Sequence, residues 1–204
     1  MRTVEEPARR ERPGKIAILR AAVEVMGEDG YEGASIRDMA ARAGVSVAAL
    51  YYHFPSKLDL LREFLDEAWN VTLARLDRRL EAAGPAPVDR LDVIVAALIS
   101  SHLHDSFSQL AANVAFREYT RLNPPERAAI DKKRLRLLEL VEGVLSDGVA
   151  DGSFTVDDPR EAARAIVTLS TTLVEPYREM GKSLAEVIEL YQRFARSVAR
   201  TPAP

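Results

Sequence analysis

The sequence predicts an all-α protein, on three observations. Runs of β-branched residues that alternate with polar ones are missing. Apolar residues instead recur at spacings of three and four along almost the whole chain, the period of one helix face. The interruptions are helix breakers: Gly27 and Gly30, Gly44, Gly84 to Pro87, Asn123-Pro124-Pro125, Asp151-Gly152 and Gly181. They divide the chain into a three-helix head and a larger helical body, with one long helix bridging them.

Residues 1–12 are polar and read as a flexible arm. Ile16, Leu19, Val23 and Met26 form the stripe of a first helix, ended by Gly27 and Gly30. Ser35 and Asp38 have S-x-x-D spacing, a capping-box-like start, and Ile36, Met39, Ala40 and Ala43 then face one way. Gly44 supplies a turn and Ser46 a cap, so the interval from Ala40 to Leu50 has the spacing of a helix-turn-helix. Ser56 and Asp59 repeat the start. A long helix then runs to about Ala83, with Leu58, Leu61, Leu65, Trp69, Thr72 and Leu76 on one side. Further helices are expected near 88–104, 108–121, 125–150, 159–179 and 183–199. The expected domains are the arm at 1–12, a helix-turn-helix domain at 13–60 and a body at 61–204.

Composition narrows the function. The chain has 204 residues, 47% of them hydrophobic, enough for one or two domains with a real core. It has no cysteine, which excludes disulfides, thiolate metal sites and a cysteine nucleophile. No apolar run approaches a membrane span, and the opening MRTVEEPARRERPGK lacks the apolar core of a secretory signal, so the expected location is the cytoplasm, with no membrane partner. H-E-x-x-H, a phosphate loop and a nucleophile elbow are all missing, so an enzyme is not expected. His102 and His104 are two apart and diverge on a helix, and Asp147, Asp151, Asp157 and Asp158 cluster where helix caps are needed. Neither set reads as a metal site, and no cofactor is implied.

The short helix after Gly44 carries the functional signal. At 100° per residue Leu50 and Phe54 point to the core, while Ala48 and Tyr52 lie opposite, flanked by Ala49 and Tyr51. Alanines keep a face flat enough to approach a groove floor and can touch a thymine methyl. Tyrosine hydroxyls reach phosphates or base edges. Lys57, in the first turn of the next helix, suits a phosphate docked at a helix start, and Arg37 suits a base edge or phosphate. His53 also fits a hydrogen-bonded helix end, and Arg9, Arg10, Arg12 and Lys15 could follow the DNA backbone. The net charge of -3 weighs against this reading, because a nucleic-acid binder of such composition needs a local basic face. A helical scaffold or small-molecule-binding protein without DNA is the alternative.

The run SIRDMAARAGVSVAALYYHFPSKLDLL resembles the N-terminal motif of the TetR family of transcriptional regulators over about residues 15–65, with AGVS, LYYHF and SK-x-x-LL all in register. The resemblance implies a ligand-responsive regulator, a repressor that binds double-stranded operator DNA as a homodimer. By it, Ser35, Arg37, Val47, Ala48, Ala49, Tyr51, Tyr52, His53 and Lys57 correspond to DNA contacts. Ala49 departs from the pattern, since a hydroxyl residue is frequent there. Readout by direct hydrogen bonds is then thin, and specificity leans on Arg37, the tyrosines, methyl contacts or DNA shape.

In the body, two apolar stripes end the chain. Each suits an intrachain core or an interface between copies. The resemblance implies the interface, with Ile166, Leu169, Leu173, Leu184, Val187, Ile188, Tyr191 and Phe194 in it. An apolar cavity with isolated polar groups is expected around Trp69, Leu98, His102, Asn113, Phe116, Arg117, Tyr119, Thr168 and Thr172, for a small apolar or amphipathic effector. The segment FREYTRLNPPERAAIDKKRLRLL is similar to effector domains that sense lipid-like or acyl-thioester ligands. Its Arg127, Lys132, Lys133, Arg134 and Arg136 suit a polyanionic head group.

Overall fold

The computed structural model describes residues 13–173 and 181–200, and no strand occurs among them. The expected arm at 1–12 and the end of the helix expected at 159–179 lie outside the described residues. The helices are α1 (Pro13–Gly33), α2 (Ile36–Ala43), α3 (Val47–His53), α4 (Lys57–Ala82), α5 (Pro87–Leu103), α6 (Ser106–Glu118), α7 (Pro124–Asp151), α8 (Pro159–Thr171) and α9 (Leu184–Ala199). A 3-10 turn, Tyr119–Arg121, takes the place expected for the end of the helix at 108–121. The chain forms two compact units, one up to Phe64 and one from Leu65 onward, so their boundary falls inside α4.

The head unit is built on a short apolar centre. Ile18, Ala22 and Val25 of α1 are buried, as are Met39 and Ala40 of α2, Leu50 and Phe54 around α3, and Leu60 and Leu61 of α4. The stripe expected for α1 holds in part. Val23 and Met26 are buried, whereas Ile16 is 57% exposed and Ile18, Ala21, Ala22 and Val25 widen the buried face. Nor does Gly27 stop the helix. Helical geometry fails first at Gly30, where φ is 70° and ψ 169°.

The body unit is centred on α5, whose Leu91, Ile94, Val95, Leu98 and Ile99 are all buried. It packs against α6, α7, α8 and α9. Leu73 and Leu76 of α4 join the same core. Two polar fastenings hold α9 on α5: the Arg196 guanidinium grips both carboxylate oxygens of Asp92, and Gln192 Nε2 donates to the Asp92 carbonyl at 3.0 Å. The turn after α7 depends on a close approach. The Phe154 N–H donates to the Gly148 carbonyl at 2.9 Å, and the buried Phe154 ring lies over Gly148. A Cβ at Gly148 would sit 2.0 Å from Phe154 Cδ2, closer than side chains pack.

Gly148→Ala is therefore expected to cost about 1–3 kcal/mol by overpacking a full core site. Thermal melting should show a loss of several degrees, and Gly148→Ala/Phe154→Leu should recover part of it.

Candidate nucleic-acid interface and ligand site

The helix-turn-helix is assembled from local caps. Ser35 Oγ accepts from the Asp38 N–H at 3.1 Å and opens α2. At its other end Gly44 takes φ 68°, which a side chain would strain. The Val45 N–H donates to the Ala40 carbonyl at 3.0 Å and the Gly44 N–H to Ala41 at 3.1 Å, the paired closure of a Schellman turn. Ser46 Oγ then accepts from the Ala49 N–H at 3.1 Å and opens α3 only three residues later. With Leu50 and Phe54 buried, the rest of α3 has no core to face. Val47 and Ala48 are exposed, Tyr51 is half out, Tyr52 is 75% exposed, and Ala49 and His53 are half-buried. The rings of Tyr52 and His53 meet edge-on, with centroids 5.4 Å apart.

Most cations of the head are committed to its own acids. Lys15 pairs with Glu63 at 2.5 Å, Arg42 grips Glu28 at 2.7 and 2.9 Å, and Arg62 pairs with Asp59 at 3.3 Å. The guanidinium of Arg42 holds the Glu28 carboxyl below its usual range. Among the described residues of this unit, Arg37 is the exposed cation without an ion-pair partner. It is the second residue of α2, on the same short motif as the open face of α3.

Lys57 is used differently from the expectation. Its ammonium donates to the carbonyls of Tyr31 at 2.6 Å and Ala34 at 3.0 Å, and lies 4.4 Å from the centre of the Tyr31 ring. Those carbonyls end α1 and lead into α2, so Lys57 ties the start of α4 to that corner. A phosphate would have to share donors already occupied.

In the body, the expected ligand residues stand in different settings. Phe116 is 78% exposed, and Arg117, Thr168 and Thr172 are also on the surface. The hydroxyls of Thr168 and Thr172 bond back to the carbonyls of Arg164 and Thr168 in their own helix. Leu98 is plain core, and Trp69 and Asn113 are half-buried. Tyr119 bonds to Asp131, with the guanidinium of Arg134 4.9 Å from its ring. His102 is half-buried, and its Nδ1 meets the Leu98 carbonyl at 2.7 Å. Burial pushes its pKa down, so the imidazole is neutral at neutral pH. Among the described residues a groove lies between α4 and α7. It has a volume of about 480 Å³ and is lined by Asn70, Leu73, Ala74, Asp77, Ala129, Lys132, Lys133 and Arg136. Lys132, Lys133 and Arg136 come from the basic run; the other lining residues were not singled out in the sequence.

The stripes at the chain's end divide. Ile166, Leu173 and Val187 are buried inside the unit, so they belong to its core and not to an interface. Leu184, Ile188 and Tyr191 pack against that core from its edge. Leu169 and Phe194 are 40% and 44% exposed. Among the described residues no group of His, Asp and Glu could hold a metal ion, and no helix is long and apolar enough to cross a membrane.

Residues 18–64 match the family described as bacterial regulatory proteins, tetR family, and residues 84–199 match a tetracyclin repressor-like C-terminal domain. The HTH-type transcriptional repressor KstR2 of Rhodococcus jostii (strain RHA1) is 30% identical over 182 residues, 84% of this chain and 83% of that protein. A fatty acid metabolism regulator protein of Bacillus subtilis (strain 168) is 28% identical over 149 residues, 71% of this chain and 72% of its own. In fold the chain is similar to AibR, solved in complex with isovaleryl coenzyme A and operator DNA, with a TM-score of 0.78 at 21% identity, covering 91% of this chain and 98% of that one.

Two outcomes are expected from this geometry. Lys57→Met should destabilise the head by about 1–3 kcal/mol, through carbonyls left without their charged donor. It should leave the slope of DNA affinity against salt unchanged, whereas loss of a phosphate contact would lower that slope by about one. His102 has a depressed pKa in the fold, so it contributes stability above the unfolded value of about 6.5, and that stability is lost as pH falls below it. Chemical denaturation between pH 7.5 and 5 should show that loss, and His102→Gln should flatten it.

Proposed function

The chain belongs to the TetR family of bacterial regulatory proteins, and we propose that it is a repressor that binds a near-palindromic operator as a homodimer and is released by a mainly apolar small molecule. The observation that carries this reading is the outward face of α3, with Ala48, Tyr51 and Tyr52 in the open beside the unpaired Arg37. That face is flat, apolar at its start and hydroxyl-bearing at its end. In a major groove, Ala48 meets thymine methyls, the tyrosines reach backbone or base edges, and Arg37 supplies the strong donor. Ser35, Val47, Ala49 and His53 complete the contact surface. Two heads reading two half-sites require two copies of the chain. Exposed Leu169 and Phe194, with Tyr191 edge-on to Phe194 at 5.3 Å, support an interface along α8 and α9.

For the effector we propose an acyl thioester. The basic run of α7, the resemblance to a fatty acid metabolism regulator and the likeness to a fold solved with isovaleryl coenzyme A all support that class. Release follows from linkage: a ligand that prefers the state whose heads are badly spaced for DNA must weaken DNA binding by its differential affinity. The helix α4 belongs to both units, so it is the covalent route between them.

Gel shifts on genomic fragments over a salt series test the DNA reading. A scaffold without DNA function would give no sequence preference. Arg37→Ala should cost about 1–3 kcal/mol and relax preference at one base pair, and Tyr52→Ala should weaken specific binding. Phe194→Glu, at a position outside the core, should give a folded monomer in sedimentation. An unaltered dimer would remove α9 from the interface.

A further inference from the structure

On α4, Asp66, Asn70, Leu73 and Asp77 fall four, seven and eleven residues apart and share one helix face. On α7, Ala129, Lys132, Lys133 and Arg136 do the same over two turns. The two backbones make little direct contact. Long side chains span the gap instead: Lys133 Nζ reaches the Asp66 carboxylate at 2.6 Å and its carbonyl at 3.2 Å, and Arg136 reaches Asp77 at 2.8 Å. Between these two bridges lies the groove of about 480 Å³. Leu73, Ala74 and Ala129 give it apolar surface, and Lys132, a third cation on its wall, has no ion-pair partner among the described residues. A chain of net charge -3 thus gathers three cations on one groove, against a single lining carboxylate, Asp77.

We propose that this groove holds the 3′-phospho-ADP end of an acyl-coenzyme A, whose phosphates replace Asp66 and Asp77 as the partners of Lys133 and Arg136. The proposal rests on the acyl-thioester reading above and adds its site and mode of action. The 3′-phosphate monoester carries more charge and more acceptor oxygens than a carboxylate, and the diphosphate adds two further anions, so together they compete with the aspartates for these cations. The apolar lining meets the flat adenine ring. The volume lies within the range of about 300–1,000 Å³ usual for small-molecule sites. Occupancy then exchanges two bridges that join α7 to α4 for two that join α7 to the ligand. The hold of the body on α4 therefore changes with ligand, and α4 continues into the head.

Calorimetry with octanoyl-coenzyme A and with octanoate on the full chain tests this, with melting curves as a check on folding. Octanoyl-coenzyme A should bind at least about tenfold more tightly than octanoate. Lys133→Met and Arg136→Met should each lower that affinity by about tenfold, the loss expected of one charge-assisted pair. Asp77→Asn should raise it, because Arg136 is then free for phosphate; an opposite sign for the acid variant cannot come from misfolding. Octanoyl-coenzyme A bound equally by wild type and all three variants would overturn the groove assignment and leave the thioester reading standing. Octanoate bound by the wild type without any binding of octanoyl-coenzyme A would overturn both.

Discussion

At Gly44 the backbone turns through φ 68°, and the N–H groups of Gly44 and Val45 are both given to the end of α2. That closure leaves a single residue, Val45, before Ser46 opens α3. The angle between two short helices is thus set by backbone geometry, and burial of Met39, Ala40, Leu50 and Phe54 makes it rigid. Because α3 has only seven residues, two buried anchors use up its inward side. Ala48, Tyr51 and Tyr52 are left outward by necessity. An L-residue at position 44 would strain the turn and misdirect that whole face.

The electrostatics follow from the same economy. An acidic chain that binds DNA gains little from its net charge, and most described cations of the head are engaged within it. Lys15, Arg42 and Arg62 answer acids on neighbouring turns or helices, and Lys57 closes the end of α1. The described residues of the head, with few free cations, contribute weak non-specific affinity and a shallow dependence on salt. Discrimination between sequences then falls to Arg37 and to close apolar and hydroxyl contacts from α3. Such a surface suits a regulator whose DNA affinity a ligand can overcome with a few kcal/mol of coupling.

Local features of the fold were legible in the sequence, and long-range pairings were not. Ser35, Ser46 and Ser56 accept from N–H groups three residues on, and Gly44 gives its N–H to a carbonyl three residues back, so their spacing alone placed α2, α3 and α4. The carbonyl contacts of Lys57 were not legible because its acceptors lie 23 and 26 residues back, at a corner no periodicity reveals. The α1 stripe was legible at Val23 and Met26 but not at its start, because apolar residues surround that helix and Ile16 offered as good a start as Ile18. In the body, Ile166 and Val187 fit either a core or an interface by spacing, and only the packing of α5 against α8 and α9 decides for the core. The groove escaped notice because Lys133 finds Asp66 across 67 residues. The face Asp66, Asn70, Leu73 and Asp77 is periodic, and a search for acidic stripes facing the basic run would have found it.

The central claim is that two copies of one exposed α3 face read two related half-sites. Nuclease footprinting on the genomic fragment the protein enriches most strongly tests it directly. The account predicts protection over two successive major grooves related by a dyad, with half-sites about one helical turn or more apart. Protection of a single half-site, or of DNA without any dyad, would contradict it.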